Sequence, residues 1–346
     1  MQTVPPATFD RPVDSLTAMS AAAQSPDRAA RIVWQDNAKA AGIVLVVFGH
    51  VERGLQSAGL LKSAAWQNVD FALYTFHMPL FMFLAGLHVM RSREKPGFLG
   101  KKARSLLLPY LVWSAVQILV MYVLGRYTNN HVSLHRLLTL GWAPVSPFWF
   151  LYVLFGYMLL AALIAPSRWL FLVAVVMLFL STAVHQETLF QFTYFFAYFV
   201  AGCLLGGRAL AAPAIVLPLS LAVFVASLAL GLAWHLGYYS PLMLPAAIAG
   251  ISFVIAAAQR FPDSNLIRSL GRASLVIYVM HVLCTAGMRI ALKILGVQSA
   301  GAHIVLGVIA GVVLPLCIYA VLDQLKLARW LGLPVHALST PRPRGQ

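Results

Sequence analysis

Residues 38–56 read Ala-Lys-Ala-Ala-Gly-Ile-Val-Leu-Val-Val-Phe-Gly-His-Val-Glu-Arg-Gly-Leu-Gln. From Ala40 to Val51 the run is aliphatic, aromatic or glycine except for His50. A helix that crosses a bilayer needs about 20 mostly apolar residues, and this stretch has the length and the character. Nine more of the kind follow, at roughly 70–90, 105–125, 146–165, 168–184, 189–206, 213–235, 240–258, 273–295 and 301–322. The chain therefore reads as an all-α polytopic membrane protein with ten transmembrane helices. A polar, Pro- and Ala-rich tail over 1–30 is expected to be disordered and cytoplasmic. The membrane domain spans 31–325, and a second cytoplasmic tail covers 326–346.

Composition points the same way. Of 346 residues, 60% are apolar and only 10% charged, where soluble domains carry about 25% charged residues. So few polar side chains cannot cover a globular surface, which excludes a soluble enzyme, a disordered protein and a secreted disulfide scaffold. Three scattered cysteines support neither a disulfide framework nor a zinc site. A net charge of +15 suggests nucleic acid in a soluble protein. Here the positive-inside rule accounts for it. With the N-terminus in the cytoplasm, nineteen of the 25 basic residues fall on the inner side and six on the outer. The reading is N-in and C-in, in the cell's inner (plasma) membrane, with the lipid bilayer as partner and no nucleic acid.

An ionisable side chain inside a span costs about 2.5–3.5 kcal/mol on insertion scales and is a functional candidate by default. Eleven residues at about 100° each return to within roughly 20°, so Lys39 and His50 share one helix face about 16 Å apart. His77 falls about 10 Å from the outer end of the second span, and His281 about 13 Å along the ninth. Three imidazoles at a similar depth point to a buried reactive centre. Hydrogen bonding between helices is the plainer use of such residues. Asp36, about 21 Å from His50 along a helix, is expected to cap the first span and pair with Lys39 at i,i+3. Glu52 lies about 200° round from His50 and reaches it only if the helix unwinds near Gly54, so the carboxylate partner of His50 stays open. Lys101 and Arg104, also at i,i+3, could clamp phosphates, although orientation in the membrane explains them equally well.

Five stretches occur in order: Trp34-Gln-Asp36-Asn-Ala-Lys39 leading to Gly49-His50; Phe76-His77-Met78-Pro79-Leu80-Phe81-Met-Phe-Leu-Ala-Gly86; Lys101-x-x-Arg104 followed by Leu-Leu-Pro109-Tyr110; Pro147-Phe-Trp149-Phe-Leu; and Gly271-Arg272-Ala-Ser274-Leu-Val-Ile-Tyr278-Val-Met-His281. Together they resemble the acyltransferase-3 superfamily of membrane O-acyltransferases, most nearly the sugar O-acetylases similar to fucose 4-O-acetylase. The resemblance covers about residues 31–285. Lys39 and Lys101 stand where most relatives have arginine.

The resemblance implies acyl-CoA, usually acetyl-CoA, as donor and co-substrate, a carbohydrate or glycolipid hydroxyl as acceptor, and no metal. His50 would be the general base, with His77 and His281 beside it. Lys39, Lys101 and Arg104 would hold the CoA, Trp149 and Tyr278 would line the acceptor cavity, and Asp36 would be structural. Some relatives carry an extra esterase-like domain; none fits before Gln346, so transfer is expected to finish within the membrane domain. Two other readings compete. A secondary transporter or flippase of ten spans would show similar helices, but no paired halves are visible. A metalloenzyme using the three histidines would want an i,i+4 pair, which is missing.

Overall fold

The first apolar stretch proves to be the middle of a longer helix. In the computed structural model, which describes residues 26–125, 132–206, 208, 210–262, 264–335 and 337–338, α1 runs Pro26–Ser57. Its side chains are described from Val33 onward. Thirty-two residues make about 48 Å of helix, well beyond a hydrocarbon core of about 30 Å. The residues before Ala38 are polar yet interior: Trp34, Gln35, Asp36 and Asn37 are all buried. Asp36 therefore sits ten residues inside the helix and caps nothing, contrary to the expectation. Its pairing with Lys39 is formed, at 3.4 Å.

The remaining helices follow as α2 (Ala64–Gly86), α3 (Val89–Ser92), α4 (Phe98–Lys102), α5 (Leu108–Val123), α6 (Trp149–Leu163), α7 (Arg168–Leu180), α8 (Glu187–Leu205), α9 (Val216–Ala233), α10 (Leu244–Arg260), α11 (Asn265–Arg272), α12 (Ser274–Ile294) and α13 (Ala300–Gln324). One π-helical turn, Ala103–Leu107, joins α4 to α5. The described residues form helices, turns and loops with no strand. Seven helical stretches among them are long and apolar enough to cross a membrane; α6 is apolar but shorter, as is α7 with the turn that follows it. Several starts are legible as side-chain caps. Ser63, Ser167 and Ser299 accept from Ala65, Leu170 and Ala302 backbone N–H groups.

α1 is the hub, packed by α2, α10, α11, α12 and α13. It runs antiparallel to α2: Arg53 meets Asp70 near one end, and Gly42 faces Phe81 near the other. It runs parallel to α12, with His50 beside His281 and Gly54 beside Arg289. α2 and α8 touch backbone to backbone. A Cβ on Gly86 would overlap the Phe199 carbonyl oxygen, and one on Gly202 the Phe83 carbonyl oxygen. Small residues allow that approach where lipid supplies no hydrophobic drive between helices. The outer faces of α7, α9 and α13 expose Val173, Val176, Leu219, Val225, Val305 and Ile309, an apolar band that suits lipid.

The expected tail over 1–30 lies outside the described residues up to 25, and 26–30 belong to α1. Of the other expected tail, residues 326–335 and 337–338 are described, and these pack against the bundle. Trp113 Nε1 donates to Leu331 O at 3.2 Å. Tyr319 Oη donates to Pro334 O at 2.7 Å and accepts from Ala337 N at 2.8 Å.

Candidate functional site

Half-buried on α1, His50 makes no hydrogen bond to the other described residues and borders a cavity of about 280 Å³ whose wall includes Gly54, Gln117, Thr285, Arg289 and His303. Its ring centroid lies 4.9 Å from that of His281, the rings meeting edge-on at 63°. His281 is fully buried, and its Nδ1 is 2.6 Å from Tyr278 O. A carbonyl oxygen only accepts, so Nδ1 carries the proton and Nε2 keeps its lone pair. That Nε2 is buried without a partner. His77 is held in the same way, Nδ1 2.7 Å from Leu73 O. Its ring meets Tyr74 edge-on at 4.5 Å, and Gly49, next to His50, packs against Leu73 and Tyr74, one turn from His77. The three imidazoles thus gather where α1, α2 and α12 pack. Among the described residues no three His, Cys, Asp or Glu side chains converge as metal ligands.

The other expected site residues separate into distinct chambers. Tyr278 is one turn from His281 with ring centroids 5.9 Å apart, and its hydroxyl donates to Pro147 O at 2.5 Å. It faces an apolar slot of about 240 Å³ walled by Ile43, Met78, Ser105, Phe150 and Leu275. Ser105 is exposed in the π-helical turn, directly after the exposed Arg104. Lys101 is exposed too, and its Nζ reaches Pro96 O at 3.3 Å. Lys39 is occupied by Asp36 and lines none of the chambers. Trp149 opens α6, stacks on Phe195 at 5.2 Å, and lines a third, polar chamber of about 1050 Å³. Gln117 and Met121 line both that chamber and the His50 cavity, so the two adjoin.

Glu52 does not turn toward His50, because α1 stays helical to Ser57. It is buried and accepts from Gln56 Nε2, its second oxygen lacking a partner. Arg53 makes a two-pronged ion pair with Asp70, at 2.6 and 2.9 Å, and its guanidinium lies 3.2 Å from the Tyr74 ring centroid. Gln117, Gln191, Arg289 and His303 are residues of the candidate site that the sequence-based expectations do not include. The signal was present: a polar side chain within an apolar run is expensive whether or not it is charged. Arg289 donates to Gly54 O at 2.8 Å, and His303 Nε2 is 2.9 Å from Val297 O.

A family model described as an acyltransferase domain, of the acyltransferase-3 type, matches residues 32–320. Similar curated proteins include two described as nodulation protein NolL. That of Sinorhizobium fredii is 28% identical over 180 residues, 47% of this chain and 46% of the relative. That of Mesorhizobium japonicum is 31% identical over 129 residues, 35% of this chain and 32% of the relative. The matched segment thus spans less than half of either relative. No solved structure matches.

Proposed function

The chain belongs to the acyltransferase-3 family, and from that premise we propose that it moves an acyl group, acetyl in the simplest case, from acyl-CoA to a hydroxyl of a carbohydrate or glycoconjugate, with His50 as the base. It is a multi-pass membrane acyltransferase. The proposal extends this to ten spans in the inner membrane, N-in and C-in, with the Arg104 end of the bundle in the cytoplasm. Placement of fewer positive charges at the far end supports that orientation.

One observation carries the reading. Tyr278, His281 and His50 form an unbroken row, at 5.9 and 4.9 Å between ring centroids, from the slot beside Ser105 to the cavity at the other side. The slot is small and apolar, which suits the thioester arm of the donor, and the exposed cations Lys101 and Arg104 lie within one turn of its lining residue Ser105, for the phosphates. Acceptor and donor would then approach the imidazole layer from opposite ends. His50 takes the proton of the acceptor hydroxyl as its oxygen attacks the thioester carbonyl carbon. The carbon–sulfur bond breaks, and the departing thiolate receives that proton. The ester and free CoA account for every atom.

His281 serves as a positioning residue. A base is ordinarily oriented by a third group, and among the described residues no carboxylate lines the cavity at His50. The unpartnered Nε2 lone pair of His281 is the acceptor at hand. An N–H of His50 donated to it leaves the other nitrogen of His50 free for the hydroxyl. His77 adds a third ring to the layer.

The test uses purified protein in vesicles with acetyl-CoA and the total envelope glycans of the host. A mass increment of one acetyl group on a glycan, together with release of CoA, is expected from the native protein and not from His50→Ala. A transporter or flippase would leave acetyl-CoA intact. Equal acetylation by a folded His50→Ala protein would overturn the base assignment.

A further inference from the structure

The third chamber is larger than the cavity at His50 and chemically unlike it. Ligand pockets commonly fall within roughly 300–1,000 Å³, and this one, at about 1050 Å³, lies just above that range. Its wall carries Ser146, Trp149, Glu187, Thr188 and Gln191, with Gln117 at the boundary to the His50 cavity. Two of these side chains stand out. Gln117 is 3% exposed and Gln191 7%, on different helices, and in each the amide oxygen is buried with no partner. Their amide nitrogens are satisfied, Gln117 Nε2 donating to Ser146 O at 2.7 Å and Gln191 Nε2 to Glu187 Oε1 at 3.2 Å.

A buried acceptor without a donor is costly and calls for an explanation. The terminal torsion of glutamine is broad, so a modest turn of either amide presents its oxygen to the chamber. What each oxygen lacks is a hydroxyl or N–H donor. Trp149 adds a half-buried indole whose one face is taken by Phe195, an apolar platform of the sort a sugar ring's C–H face covers. Hydroxyl-binding amides, a carboxylate and an aromatic platform in one wall describe a saccharide subsite.

We propose that the chamber holds the non-reacting sugar units of an oligosaccharide acceptor, bound through the Gln117 and Gln191 amide oxygens and Trp149, while the adjoining unit reaches His50 past Gln117. This rests on the acyltransfer reading above and specifies its acceptor as an extended saccharide of at least two units. The shared lining by Gln117 and Met121 makes the two spaces neighbours, so an acceptor that fills both is fixed in register and presents one hydroxyl to the base. A monosaccharide would occupy only one of them.

The experiment uses the full-length protein in vesicles, acetyl-CoA, and host envelope glycans hydrolysed and sized into mono-, di- and trisaccharide fractions. The native protein is expected to show a KM for the di- and trisaccharide fractions at least about tenfold below that for the monosaccharide fraction, the scale of one or two hydrogen bonds. Gln117→Leu and Gln191→Leu should each collapse that ratio toward one. Gln191→Leu keeps the result decisive if loss of the Gln117–Ser146 bond disturbs folding. Ser220→Ala, on α9, should keep the native ratio. Equal KM for all fractions in the native protein, or an undiminished length preference in both glutamine variants, overturns the inference while leaving the transfer reaction in place. Failure of the native protein to acetylate any fraction overturns the transfer reading itself, and this inference with it.

Discussion

Two neighbouring turns of α1 use their polar residues in opposite ways. Arg53 is fully engaged: Asp70 takes both prongs of its guanidinium, and Tyr74 lies beneath it. His50, one turn earlier, forms no hydrogen bond among the described residues, and its ring meets that of His281, whose Nε2 is buried without a partner. Insertion of either into a membrane is expensive. The ion pair offsets its cost by joining α1 to α2. The imidazole has no such compensation among the described residues, which leaves it available for a substrate. In this pair of residues the engaged side chain ties two helices together, and the unengaged one is left for chemistry.

The largest expected effect sits on the unsatisfied side. His50→Ala should cut acyl transfer by about 10²–10⁴-fold, the span supplied by base catalysis, with the unfolding temperature in detergent near that of the native protein. His281→Ala should cost about 10²-fold, the low end of that span. His281→Gln should recover part of the loss, since its amide oxygen replaces Nε2 as acceptor; equal activity of the two variants would remove His281 from its positioning role. On the satisfied side the effect should be on stability. Arg53→Leu leaves Asp70 without its partner, and the pair is only partly buried, with Arg53 37% exposed. A loss of about 1–3 kcal/mol lies between exposed and buried pairs, read as a lower unfolding temperature. The double variant Arg53→Leu/Asp70→Leu should regain most of it. Loss of turnover in a normally stable Arg53→Leu protein would break the contrast. The smallest effect is expected at the exposed cations. Lys101→Ala/Arg104→Ala should raise the KM for acetyl-CoA about tenfold, more at low salt than at high, with the acceptor KM barely moved. An equal rise for both substrates would return these residues to a plain orienting role.

Much of this was readable in the residues, unevenly and for physical reasons. Apolar runs located the long helices because lipid-facing helices such as α9 are apolar nearly all round, with only Ser220 and Gly231 buried. The start of α1 was missed by twelve residues because Gln35, Asp36 and Asn37 read as a polar approach to a span. They are instead buried, Asn37 donating to Ala258 O at 3.1 Å and the Asp36 backbone lying against Gly271. Such burial depends on α10 and on α11, and the latter is too short and polar to announce itself. The three histidines were found by depth alone, because a helix fixes depth through its rise per residue. Division of the expected single cavity into three chambers was not legible. It depends on which faces of α5, α6 and α8 meet, and a helical repeat does not specify its partner. Gln117 and Gln191 escaped notice because attention went to charge rather than to unmet hydrogen bonds.

The claim that His50 removes a proton, rather than merely filling space between helices, is tested most directly by chemical rescue. His50→Ala protein with acetyl-CoA and the glycan acceptor should regain transfer when free imidazole is added, saturating with its concentration and varying among substituted imidazoles with their basicity, because the cavity of about 280 Å³ beside the missing ring can admit one. Native-level transfer by folded His50→Ala protein with no imidazole present would contradict the account.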